Sequence, residues 1–130
     1  VNGQIVFTGE LPHAAVQALL AQCYAFLSAS AHEGCPNALL EAAASGAAIL
    51  VSDIVAHREI CGEQALMFKV GDINQLSQMI RKIDIDLVVY DQAKLTAKEI
   101  IRKWPSWDQV AESWIDLLID LQKDKVRIGR

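Results

Sequence analysis

Residues 28–59 read S-A-S-A-H-E-G-C-P-N-A-L-L-E-A-A-A-S-G-A-A-I-L-V-S-D-I-V-A-H-R-E, and the rest of the chain is organised around them. An apolar run ends at Ser28, a small polar loop follows, a helical pattern begins near Pro36, and a second apolar run leaves at Ala47. Of the carboxylates in this stretch, two flank the helix start: Glu33 in the loop and Glu41 in the helix, with seven residues between them. Pro36 suits a first helical turn, where its missing N–H would be unpaired anyway. The amides of Asn37, Ala38 and Leu39 are then expected to be free to meet an anion at the positive end of the helix. Gly34 allows a close backbone approach that a Cβ would block. Glu41, about one turn into the helix, is placed to accept hydrogen bonds from a vicinal diol, and Glu33 to face another part of the same ligand. A sugar phosphate has the matching groups. On spacing alone the alternatives stay open: Glu41 as a solvated helix acid, Glu33 as an ordinary loop acid, and Pro36-Asn37 as a plain helix start.

Working outward, Ile5-Val6-Phe7-Thr8-Gly9 is a β-branched and aromatic run stopped by Gly, which predicts a buried strand. His13 to Gln22 puts Val16, Leu19 and Leu20 on one helical face. Cys23 to Ser28 predicts the strand before the loop, and Gly46 the end of the central helix. Ala47 to Ser52 is nearly all apolar, as for a strand covered on both faces. Asp53 to Gly62 reads as a loop or short helix, and Ala65 to Val70 as a fourth strand. A helix through Ile83 follows Gly71-Asp72, with Leu76, Met79, Ile80 and Ile83 inward. Further helices are expected over about Leu87–Lys103 and Trp107–Lys123, the second capped by Ser106, with a frayed tail beyond. Alternating strands and helices predict an α/β fold with a parallel sheet, and ligands in such folds bind beyond the carboxyl ends of the strands.

The 130 residues fit one domain, spanning 1–130, and 52% hydrophobic residues beside plentiful charge predict a folded core. A net charge of −4 argues against nucleic acid as partner. Cys23, Cys35 and Cys61 are odd in number, without C-x-x-C, so neither a disulfide framework nor a structural zinc site is expected and a reducing cytosol is the simpler setting. No run is apolar for long enough to span a membrane. The chain opens Val1-Asn2-Gly3-Gln4 rather than with Met, and about four strands are few for a doubly wound sheet. Both features predict a piece of a longer protein.

H-E-G-C-P-N-A-L-L-E-A-A-A-S-G-A-A-I-L-V-S-D, residues 32–53, resembles the E-G-x-P-x-x-x-x-E-A-x-A-x-G motif of retaining GT-B glycosyltransferases. Phe26-Leu27-Ser28-Ala29-Ser30 resembles the strand before that motif, with Ser30 at its usual Ser. R-E-I-C-G-E-Q-A-L-M-F-K-V-G-D-I-N-Q-L resembles the segment where a strand follows a Glu-Ile pair, and W-P-S-W-D-Q-V-A-E-S-W the closing helix. Together these cover nearly the whole chain in the family's order.

The resemblance implies a Rossmann-like, donor-binding C-terminal half of a GT-B fold, truncated at its N-terminus. Glu41 would hold the ribose hydroxyls of a nucleotide-sugar and Glu33 the transferred sugar. The stretch Gly34, Cys35, Asn37, Ala38 and Leu39 would touch sugar and diphosphate, with Glu59 near the nucleotide. The donor would be a substrate, UDP- or GDP-linked, with no separate cofactor and no metal. The phosphate-gripping residues and the acceptor-binding domain would lie before Val1, so the chain alone is expected not to transfer sugar. The parent protein would work in the cytoplasm, at the inner membrane face if peripherally associated, in surface glycan synthesis. The helix over 107–123 would pack on the other domain.

The sequence departs from the family pattern in several places. Cys35 stands for a bulky residue, Ala29 and Ala48 for prolines, and Ala56-His57 for glycines, which bears on the sugar rather than the nucleotide. The competing functions are a nucleotide-sugar epimerase of the same architecture and a non-catalytic nucleotide-sugar-binding module. His32 with Cys35 as a nucleophile lacks an orienting group, and Cys35 reads as a small packing residue. Asp53 as a phospho-acceptor lacks its acidic pair, and Arg58-Glu59 is either a surface ion pair or part of the site. His13 reads as an exposed helix opener, and Trp104, Trp107 and Trp114 as packing residues rather than base-stacking ones.

Overall fold

A computed structural model describes residues 5–128 of the chain. The elements run α1 (His13–Gln22), β1 (Ala25–Ser28), α2 (Asn37–Ala44), β2 (Ala48–Ser52), α3 (Val55–Cys61), β3 (Leu66–Phe68), α4 (Ile73–Ile85), α5 (Leu87–Lys103) and α6 (Trp107–Ile128). The strands form one parallel sheet in the order β1-β2-β3, with Ala25 opposite Ala48 and Leu50 opposite Leu66. This is the parallel α/β arrangement predicted from the alternation of apolar runs and helical patterns, and it agrees with the Rossmann-like fold that the resemblance implies.

β2 lies between its two neighbours and all five of its residues are buried. Its side chains alternate between two covered faces. Ile49 and Val51 meet Leu39, Ala42 and Ala43 of α2 and Ala97 and Ile100 of α5, while Leu50 meets Phe68 and Ile83 on the other side. A strand with no solvent face has no reason to alternate polar with apolar residues, which accounts for the unbroken A-I-L-V run. The alanines of α2 and α5 (Ala42, Ala93 and Ala97 are fully buried) let both helices lie close to the sheet and to each other.

Local chemistry sets the helix ends. α2 closes in a Schellman turn: Gly46, at φ 73°, donates its amide to Ala43 O at 3.0 Å, and Ala47 N donates to Ala42 O at 3.1 Å. Asp72 caps α4 by accepting from Gln75 N at 2.8 Å, and Asp86 caps α5 by accepting from Val88 N at 3.0 Å. At α6 the predicted cap is observed as a reciprocal box. Gln109 N donates to Ser106 Oγ at 3.2 Å, and Ser106 N donates to Gln109 Oε1 at 2.8 Å.

The fold departs from the sequence reading in four places. Ile5–Phe7 form no strand: their side chains are 83%, 73% and 94% exposed. A strand needs a neighbour for its N–H and C=O groups, and no described strand pairs with this run. The expected fourth strand is therefore the third, trimmed to Leu66–Phe68. Ile80 is not inward but nearly half exposed, at the rim of a groove of about 490 Å³ that it shares with Tyr24, Leu27 and Ile83. The three tryptophans do not pack: Trp104, Trp107 and Trp114 are all exposed, with most of the apolar face of α6. That helix runs on through Ile128, past the expected stop at Lys123, while Gly129 and Arg130 of the expected frayed tail lie outside the described residues. Among the described residues no helix is long and apolar enough to cross a membrane.

Candidate functional site

Because the strands are parallel, the loops after Ser28, Ser52 and Phe68 leave the sheet at one edge. Two of them enclose a polar cleft of about 450 Å³, lined by His32, Glu33 and Gly34 from the first and by Asp53, Arg58 and Glu59 from the β2–α3 connection. The more apolar groove beside Tyr24 lies at the other end of the strands, away from these carboxylates. A polar ligand has its match in the first cleft.

Glu33 is partly buried, and its Oε1 accepts a hydrogen bond from Ser30 Oγ at 2.6 Å. Ser30 entered the sequence reading only as a motif match; here it holds the carboxylate. Next to it, Gly34 is open. Gly9, Gly46, Gly62 and Gly71 all have positive φ, but Gly34 does not, and a Cβ built on it meets no atom within 4 Å. Nothing in the chain itself demands glycine at this position.

The helix start is less open than its sequence predicts. Pro36 is the N-cap rather than the first helical residue, and it is buried. Asn37 N donates to Cys35 O at 2.9 Å, and Leu39 N donates to Pro36 O at 3.0 Å. Two of the three amides expected to meet an anion are thus engaged within the turn, because the chain bends tightly at Cys35-Pro36 before the helix is established. The Ala38 amide has no backbone acceptor among the described residues. The Leu39 side chain is 1% exposed and belongs to the core, so only its backbone lies near the helix end. Cys35 is exposed rather than packed, with Sγ 3.6 Å from Asn37 Oδ1.

Glu41 does not line the Glu33 cleft. It projects from α2 toward α1, where His13 Nε2 lies 3.5 Å from its Oε1, and the two side chains are 36% and 66% exposed. His13 therefore does more than open a helix. No sequence signal marks this pair, because it arises only when α1 packs on α2.

Across the cleft, Arg58 pairs with Asp53 rather than with its neighbour Glu59: Nη2 donates to Oδ2 at 2.7 Å and Nε to Oδ1. This fork of hydrogen bonds holds the Asp53 carboxyl below the usual carboxylate range and raises the guanidinium, so Arg58 is not a spare cation for a phosphate. Glu59 lines the same cleft as Glu33.

Behind the cleft lies a group that sequence reasoning passed over. His57 is fully buried, and its Nδ1 lies 2.8 Å from Ser52 O. It stood out in the sequence only as a departure from glycine.

Residues 1–84 match the family model for glycosyl transferases group 1. A serotype-specific mannosyltransferase WbdA of Escherichia coli is 34% identical over 115 residues, covering 88% of this chain and 14% of the relative. Two further sequences of that name are 33% identical over the same length. The chain thus spans about a seventh of the length of the curated relatives it matches. With the motif placed at the carboxyl edge of a parallel sheet and the family model matching most of the chain, this chain belongs to the glycosyl transferases group 1 family.

Proposed function

We propose that this chain is the donor-binding part of a retaining glycosyltransferase that moves a sugar from a UDP- or GDP-linked donor to a saccharide or lipid-linked acceptor. The observation that carries this reading is the pairing of Glu33 with Gly34. A carboxylate held by Ser30 stands beside a glycine that the fold does not require, at the ligand edge of a parallel sheet. A ligand lying on the backbone at residue 34 supplies the missing reason for glycine there. Glu33 then accepts from hydroxyls of the transferred sugar, and Ala38 N–H at the start of α2 faces the diphosphate. Glu41 accepts from the ribose diol, with His13 as its partner until the nucleotide arrives. The name of the relatives, serotype-specific mannosyltransferase, favours mannose as the sugar and a surface glycan as the product, made on the cytoplasmic side. Catalysis in this scheme is positional: the chain holds the leaving diphosphate and the sugar, and an acceptor hydroxyl comes from elsewhere in the protein.

Calorimetric titration of the full-length protein with GDP, UDP, GDP-mannose and UDP-glucose tests these roles. Glu41→Ala is expected to weaken the bare nucleoside diphosphate by about 1.5–3 kcal/mol, the value of charged hydrogen bonds, or roughly ten- to a hundredfold. Glu33→Gln is expected to spare the nucleoside diphosphate and weaken only the nucleotide-sugar. If both variants bind every probe as the wild type does, the ribose and sugar assignments fall. If each does what is expected of the other, the two roles are exchanged.

A further inference from the structure

Glu33 is the last acceptor in a chain of hydrogen bonds that begins in the core. His57 and Ser52 are both fully buried. Ser52 O accepts from Ile54 N at 3.0 Å and lies 2.8 Å from His57 Nδ1. A carbonyl oxygen offers no proton, so Nδ1 must carry one and donate it. Ser52 Oγ lies 3.3 Å from the same nitrogen but 2.5 Å from Ser30 O. Its single proton therefore goes to Ser30 O. Ser30 Oγ in turn donates to Glu33 Oε1 at 2.6 Å and lies 3.3 Å from Ser28 Oγ, which donates to it. With those directions every hydroxyl donates once and the series ends on the carboxylate. Nε2 is left as a buried lone pair with no partner among the described residues. A proton there would be a buried donor without an acceptor.

A buried imidazole with one nitrogen unpaired is a costly way to fill space that an apolar side chain would fill without penalty. Its visible work is to fix the end of β2, from which Ser52 reaches 22 residues back in sequence to the loop carrying Glu33. We infer that His57 is a positioning residue: acting through Ser52 and Ser30, it sets the place of the Glu33 carboxylate in the cleft. This rests on the proposed role of Glu33 for its functional consequence, but not for the mechanical coupling itself.

The test uses three variants of the full-length protein. His57→Leu keeps volume and removes the donor, His57→Asn keeps an N–H close to the position of Nδ1, and Ser52→Ala cuts the next link with the least change in volume. Amide hydrogen exchange over residues 29–34 is expected to speed up about tenfold in His57→Leu and Ser52→Ala and to return toward wild type in His57→Asn. GDP-mannose affinity is expected to fall about tenfold in the first two variants while bare GDP stays within about twofold, since Glu41 stands outside the chain of bonds. Nitrogen-15 spectra are expected to show His57 protonated on Nδ1. Unchanged exchange over 29–34 in both His57→Leu and Ser52→Ala would overturn the inference, as would an imidazole protonated on Nε2 or a His57→Asn variant no better than His57→Leu. Should His57→Leu fail to fold, Ser52→Ala decides. If the wild type binds no nucleotide-sugar, the donor reading fails while the exchange and nitrogen measurements still judge the coupling.

Discussion

Glu33 and Glu41 are seven residues apart in between, yet they are supported in opposite ways. Glu33 is tied by Ser30, which is tied through Ser52 to a buried histidine, so three separate segments of chain agree on where its carboxylate sits. Glu41 has a rigid base, since α2 is held by Leu39, Ala42 and Ala43, but its carboxylate faces only His13, on a helix with no buried residue. A pair so open to water contributes little to stability. The loop carboxylate is thus ordered by side chains before any ligand arrives, whereas the helix carboxylate is ordered by backbone and left free at its tip. Under the proposed roles, preorganisation would serve Glu33, which must meet a reacting sugar within tenths of an ångström, and would be less needed by Glu41 at a ribose away from the reaction.

The comparison can be broken most severely at its shared base. Leu39 is 1% exposed and anchors α2 between both carboxylates. Leu39→Ala is expected to cost about 2–5 kcal/mol in a denaturant melt, with both half-sites lost in one transition. Separate loss of Glu33-side and Glu41-side order, seen as two transitions by site-specific probes, would show that the halves do not share this base.

The seal beneath the loop half is tested by thiol chemistry. Burial pushes the Cys61 thiol up to about 11 from its ordinary 9.0, so at neutral pH its thiolate population falls by about a hundredfold. Cys35, at the start of α2, is exposed. Iodoacetamide followed by mass spectrometry is expected to label Cys35 first and Cys61 only on unfolding or as pH approaches 11, since a raised thiol pKa delays the reactive anion to higher pH. Comparable rates at neutral pH would mean that α3 opens readily and the loop half is not sealed.

A subtler change separates fold from ligand. Gly34→Ala is expected to leave stability within about 0.5 kcal/mol, because its φ is ordinary and the added Cβ meets no atom of the chain. Nucleotide-sugar affinity is expected to fall about tenfold, as for a single misplaced polar contact. A variant that loses stability instead would place the need for glycine in the fold and remove the main support for a ligand over residue 34.

Much of this could be read from the chain directly, where interactions are local. The unbroken A-I-L-V run at β2, the Gly46 stop and the Ser106 cap depend on neighbours within a few residues, so their residue types declare them. The E-G-x-P motif grouped Glu33, Gly34 and Glu41; Glu33 and Gly34 do line one cleft, but Glu41 turns toward α1. What the chain alone could not declare were contacts between segments distant in sequence. Ile5–Phe7 had the composition of a strand but no edge to pair with, and pairing is a property of two segments. The amides of Asn37 and Leu39 looked free until the turn at Cys35-Pro36 consumed them. His13 met Glu41, Arg58 chose Asp53 over Glu59, and His57 found Ser52 through the packing of α1 on α2 and of α3 against the end of β2. Residue type decided which groups could serve as donors and acceptors. Only the tertiary structure decided which of them are held in place, because that depends on donors and acceptors brought together from across the sheet.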